Sequence, residues 1–156
     1  MSEALIRAEI VSVLGGITDI GQVSGYKRPA ITEKELKDRY GALIGGKNVI
    51  RGWTVSRTET PEERVTFPSK HRREYVYVIE GFWGLKDDAA EANASETDFQ
   101  AMIETICATF RPLHDLNAKT KWTSPVQVRV VDHRIFGGVL THHVELELLV
   151  REDVSA

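Results

Sequence analysis

Between Ser95 and Leu113 the chain reads SETDFQAMIETICATFRPL, and its apolar residues recur at three- and four-residue steps. Phe99, Met102, Ile103, Ile106 and Phe110 therefore share one face of a helix. Glu104, Thr105, Thr109 and Arg111 fall mostly elsewhere. Ser95 or Thr97 suits the N-terminal cap, and Glu96 and Asp98 suit the positive end of the helix dipole. Pro112 removes a backbone donor and stops the helix. Burying five such side chains is worth roughly 7–15 kcal/mol before the entropy of ordering the segment is subtracted. So one-sided a helix needs a broad apolar surface opposite it. The flanking sequence reads as strands, which makes that surface a sheet.

Ser2 to Leu14 reads as a first helix, with Ile6, Ile10 and Val13 on one stripe that Ile17 extends and Leu5 and Val11 widen. Gly15 and Gly16 end it. Residues 17–31 read as loop with at most a short edge strand. Thr32 and Glu35 then form a capping-box pattern for a short helix through Tyr40. Asn48 to Arg57 is a strand, and REYVYVIEGFWGLKD (73–87) is a long one, dense in β-favouring residues. Gly81 and Gly84 inside it predict a bulge or bend. These two strands pair as a long hairpin. After the central helix, Val126, Val128 and Val130 alternate with Gln127 and Arg129. In VLTHHVELELLVRE, Val144, Leu146, Leu148 and Val150 take one side and His143, Glu145, Glu147 and Arg151 the other. The expectation is one α+β domain over residues 1–156. It has an antiparallel sheet of about four main strands with helices packed on it, in the order α-α-β-β-α-β-β.

Twenty basic side chains against 23 acidic ones leave a net charge of −3. That balance lacks the basic excess of a nucleic-acid or anionic-membrane binder. No apolar run approaches the roughly 18–20 residues of a membrane span. The start, MSEALIRAEIVSVLGG, lacks the basic segment and uninterrupted apolar core of a secretory signal. Cys107 is alone, so no internal disulfide can form. A cytoplasmic site of synthesis is expected.

Catalytic signatures are missing: there is no GxSxG elbow and no GxxxxGK[ST] phosphate loop. His142 and His143 are neighbours on a strand, so they point to opposite faces and cannot both hold one ion. His133 on the partner strand could approach one of them, but no HxH or HExxH spacing backs a metal site, and solvent-facing strand residues are the expected reading. Cys107, between Ile103 and Phe110, reads as packing rather than as a nucleophile. Glu145 and Glu147 share a strand face without an acid/base partner and read as sheet surface. Trp53, Trp83 and Trp122 read as core or interface anchors, without the basic interleaving of a base-stacking platform. No catalytic, metal or cofactor-binding residue is assigned, and no cofactor is expected.

The stretch from Thr58 to Arg73 is the most informative part outside the core. Glu59, Glu62, Glu63 and Arg64 precede Phe67, and Lys70, His71, Arg72 and Arg73 follow it. Hairpin loops usually run about two to five residues, so a longer charged connection needs a reason. One reading is a docking arm whose acidic half meets a neighbour's basic half with Phe67 as anchor; the other is a solvated flap.

Taken together, the N-terminal helix, the Trp53 strand, the long charged loop and the strand REYVYVIEG resemble the tail terminator (tail-completion) proteins of long-tailed bacteriophages. The helix DFQAMIETICATF and the closing pair PVQVRVVDHRIFGGVLTHHVELELLV continue the resemblance over most of the chain; residues 15–46 match least. The resemblance implies a non-enzymatic virion protein, located at the head-proximal end of the tail and assembled in the host cytoplasm. Such proteins cap the tail tube as a hexameric ring, end its polymerisation and present a surface to the head-completion complex. It implies contacts with other copies of the chain, with the tail tube protein and with a head-completion or connector protein. DNA would pass through the channel without specific binding, and no membrane is involved. By this analogy Glu59, Glu62, Glu63, Arg64, Phe67, Lys70, Arg72 and Arg73 are the candidate subunit or tube contacts. Two other readings stand beside it. One is a small ligand-binding domain or enzyme with a pocket between the central helix and the sheet, using His133, His142 and Glu145. The other is a different neck or minor tail protein of similar fold.

Overall fold

A computed structural model describes residues 3–66, 70–85 and 92–155, without the side chains of residues 66, 92 and 93. In chain order the elements are α1 (Glu3–Gly15), β1 (Gln22–Ser24), α2 (Glu33–Tyr40), β2 (Gly41–Ile44), β3 (Lys47–Glu59), β4 (Glu62–Thr66) and β5 (Lys70–Gly84). They are followed by α3 (Ala92–Phe110), β6 (Trp122–Thr123), β7 (Gln127–Phe136) and β8 (Val139–Ser155). The class is α+β, as expected, but the strand count and order are not. Among the described residues the sheet has eight strands and is mixed, because β1 runs parallel to β3.

β5 and β8 form its spine, paired antiparallel from Lys70↔Ser155 to Gly84↔Thr141 with no register shift. β3 pairs along the other edge of β5, with β1 and β2 beyond it, and β4 continues that edge of β5 where β3 leaves off. β7 and β6 share the far edge of β8. Since side chains alternate across a strand, the cross-strand partners define two faces. Trp53, Tyr75, Tyr77, Ile79, Val144, Leu146, Leu148 and Val150 lie on the first and are buried under α1 and α3. α3 covers it with Phe99, Met102, Ile103, Ile106 and Phe110, the stripe its periodicity predicts. The helix begins three residues before Ser95, however, so Ser95 is an interior residue and not the cap. In α1 the buried stripe is Ile6, Ile10 and Leu14, a regular four-residue step, in place of Val13.

The second face is not simply open. α2, opened by the expected capping box of Thr32 and Glu35, sets Leu36 and Tyr40 against Phe82 and Phe136. Phe82 and Phe136 stack with centroids 4.0 Å apart, and Tyr40 meets both edge-on. One short helix thus touches β3 at Gly52 and the β7–β8 turn at Gly137, so the sheet curls around it.

The glycines of the long strand also need correction. The β5–β8 register is unbroken through Gly81, so no bulge forms there. Gly81 is opposite Trp53, and a Cβ on it would stand 2.3 Å from the indole ring. Gly52 does the same for the ring of Tyr40 on the other face. These glycines exist to let aromatic rings lie flat on the sheet.

Candidate functional site

The described parts of the charged stretch, residues 58–66 and 70–73, are mostly strand rather than loop. β3 runs to Glu59, and β4 folds back on β5 with Glu62↔Arg73, Glu63↔Arg72 and Arg64↔His71 opposite each other. Acidic and basic halves therefore meet within one chain. Glu62 carboxylate oxygens lie 2.9 Å from Arg73 Nε and 3.3 Å from His71 Nδ1, and Glu63 lies 3.6 Å from Arg72. Opposite charges directly across a strand pair each contribute only about 0.2–1 kcal/mol, so these pairs set register more than they stabilise. The acid-then-base order that suggested docking in trans is also what a hairpin needs for pairing in cis. Glu59, Arg64 and Lys70 are exposed on the same ribbon. Phe67, the expected anchor, lies outside the described residues.

A second surface was not anticipated. β7 has one partner strand among the described residues, β8, and leaves its outer edge open. A register shift at Arg129 puts Val128 and Val131 on the same face despite their odd spacing, and sends Val130 to the other. Ile135 and its cross-strand partner Leu140 continue that face. All four are exposed, Ile135 at 76%. Apolar side chains in a row along an unpaired edge are what soluble monomers avoid.

The histidines divide as strand geometry requires, but neither is solvent-facing. His142 is 3% exposed and His143 is fully buried. His143 is on the α2 side of the sheet, with Nδ1 2.7 Å from Asp132 Oδ1 and Nε2 facing Glu80 at 3.7 Å and Glu145 at 3.8 Å. Glu80 and Glu145 are direct cross-strand partners, a like-charge pairing that needs positive charge nearby. Lys27 (3.8 Å from Glu80) and Arg134 (3.6 Å from Glu145 and 3.2 Å from Asp132) supply it. The facing imidazole does most to hold the Glu80 carboxyl below the usual carboxylate range; burial opposes it, and Lys27 and Arg134 add to it. A carboxyl lowered on folding stabilises the fold above its unfolded pKa and loses that stabilisation as pH falls through its folded value. Urea unfolding at a series of pH values should therefore show stability dropping below about pH 4.5, and a Glu80→Gln variant should drop less steeply. Parallel curves would assign the acid sensitivity elsewhere.

His142 lies on the first face, with Nε2 3.0 Å from Ser95 Oγ and its ring stacked 5.3 Å from that of Phe99. His133 is its direct cross-strand partner, with ring centroids 4.9 Å apart. One nitrogen from each ring and one oxygen of Glu96, on α3, lie within 4.8 Å of one another. The approach of His133 to His142 was legible in the strand pairing; Glu96 came from the helix and was not.

Of the three residues of the pocket reading, the fold gathers His133 and His142 but not Glu145. The interface of α3 with the sheet is filled by buried side chains. A cavity of about 340 Å³ opens beside the start of α3 between Arg51, Trp83, Ser95 and Asp98. Glu145 lies on the opposite face of the sheet from His133 and His142. Cys107 is half-buried against the core, and burial pushes its thiol up, away from nucleophile chemistry. Trp53 and Trp83 are buried, while Trp122 is partly exposed with Arg151 4.5 Å above its ring. Among the described residues no helix is long and apolar enough to cross a membrane. No family model matches the chain, and no curated protein matches it either.

Proposed function

We propose that the chain is a structural virion protein of the tail-terminator kind, capping the phage tail tube as a hexameric ring and offering a surface for head joining. The observation that carries this reading is the open β7 edge, with Val128, Val131 and Ile135 exposed on it and Leu140 exposed beside Ile135 on β8. At the other side of the sheet β2 and β4 also have one partner each among the described residues, with Leu43 and Val65 exposed. A sheet with two different open edges can add to a second copy of itself head to tail, and such heterologous contacts close into rings when the rotation permits. The function is assembly, without covalent chemistry or a cofactor. In this reading the β4–β5 ribbon reaches the tail tube or the next subunit through Glu59, Glu62, Glu63, Arg64, Phe67, Lys70, Arg72 and Arg73. Head-completion protein binds the opposite side, and DNA slides through a mildly acidic ring.

The ribbon is tested by Glu62→Lys with Glu63→Lys. Exposed ion pairs contribute about 0–1 kcal/mol, so the monomer should stay folded by circular dichroism. Tails made with this variant should run past their normal length in electron micrographs. Normal tails would remove the ribbon from the contact.

A further inference from the structure

We infer that Glu96, His133 and His142 form a binding site for a divalent transition-metal ion, zinc above all. Two imidazoles and one carboxylate make a ligand set that zinc accepts, with room for a fourth ligand from solvent. The fold brings them together in a way their spacing in sequence hides. His133 and His142 are directly opposite on an antiparallel strand pair, on the face that α3 crosses, and α3 presents Glu96 there. Their ligand atoms lie within 4.8 Å of one another. Zinc–nitrogen bonds of about 2.0–2.1 Å require those atoms to close in further. His133 and Glu96 are exposed and can swing inward, while His142 is fixed by Ser95 and Phe99.

The other candidate cluster, Glu80 with His143 and Glu145, is the weaker one. Lys27 and Arg134 already occupy its carboxylates, and a metal ion would have to displace them. The zinc site does not depend on the assembly reading, since a folded monomer has all three ligands, although His133 shares its sheet face with Val131 and Ile135.

The test is titration of the chelator-treated full chain with zinc chloride, read by calorimetry, and with cobalt, read by its visible absorption. The wild type should bind one ion per chain at low micromolar concentration and show the intense visible bands of tetrahedral cobalt. Its melting temperature should rise by about 5 °C with saturating zinc. Glu96→Gln and His133→Ala alter exposed side chains and should melt like the metal-free wild type, yet each should lose roughly 100-fold in affinity. Glu80→Gln should bind as the wild type does. The proposal is overturned if the wild type binds no stoichiometric zinc. It is equally overturned if both ligand variants bind within about threefold of it, or if Glu80→Gln is the variant that loses the ion.

Discussion

Replacing Trp53 with alanine should cost about 3–5 kcal/mol of unfolding free energy, a large part of what holds a domain of this size together. The indole is 1% exposed, lies flat on Gly81, stacks 6.5 Å from Phe99 and donates from Nε1 to the Ile20 carbonyl at 2.9 Å. Its removal opens a cavity at the junction of β3, β5 and α3 and leaves a buried carbonyl without its donor. The role assigned to Gly81 makes a sharper statement. Gly81→Ala in the wild type drives a methyl into a ring that cannot move, with an expected cost of about 1–3 kcal/mol. In the Trp53→Ala background the ring is gone, and the same change should cost much less. Urea unfolding of the two single variants and the double variant measures that coupling. Simple additivity would mean that Gly81 serves the backbone and not the ring.

The second large effect is on association. Val131→Lys with Ile135→Lys places two charges in the exposed apolar row of β7. Both side chains project from the surface, so the monomer should change by no more than about 0.5 kcal/mol per site. A neighbour packing on that row would have to bury both ammonium groups, at several kcal/mol each. Sedimentation over a concentration series should show the wild-type chain forming closed oligomers alone or on addition of tail tubes, and the variant remaining monomeric under the same conditions. Equal association of the two proteins would clear β7 of any interface role.

The elements that could be read from sequence are those whose signals are local. The three helices show in periodicity, caps and stops, and β5 and β8 in long alternating runs. What was missed depends on partners far along the chain. β1 is three residues long and exists because residues 22–24 meet residues 52–54. β2, β4 and β6 are also short, at four, five and two residues, and β4 is so charged that its pattern reads as loop. Glycine is ambiguous in the same way: in sequence Gly81 marks a bend, and only the register with Trp53 reveals a seat for an aromatic ring. The candidate ribbon could be found in sequence but its strand pairing could not, because acid followed by base describes pairing within a hairpin as well as pairing between subunits. The β7 row was hidden by one bulged residue, Arg129, which breaks the two-residue period between Val128 and Val131. The histidines were seen as an adjacent pair; burial and the helix-borne Glu96 required the tertiary structure.

The central claim, that this chain ends tail growth by closing a ring on the tube, is tested most directly by tail length. Tails assembled without the chain, with the wild type, and with the Val131→Lys/Ile135→Lys variant should be measured side by side by electron microscopy. The expected result is uniform tails only with the wild-type chain, and overlong tails of variable length in the other two. Tails of the same length in all three would contradict it.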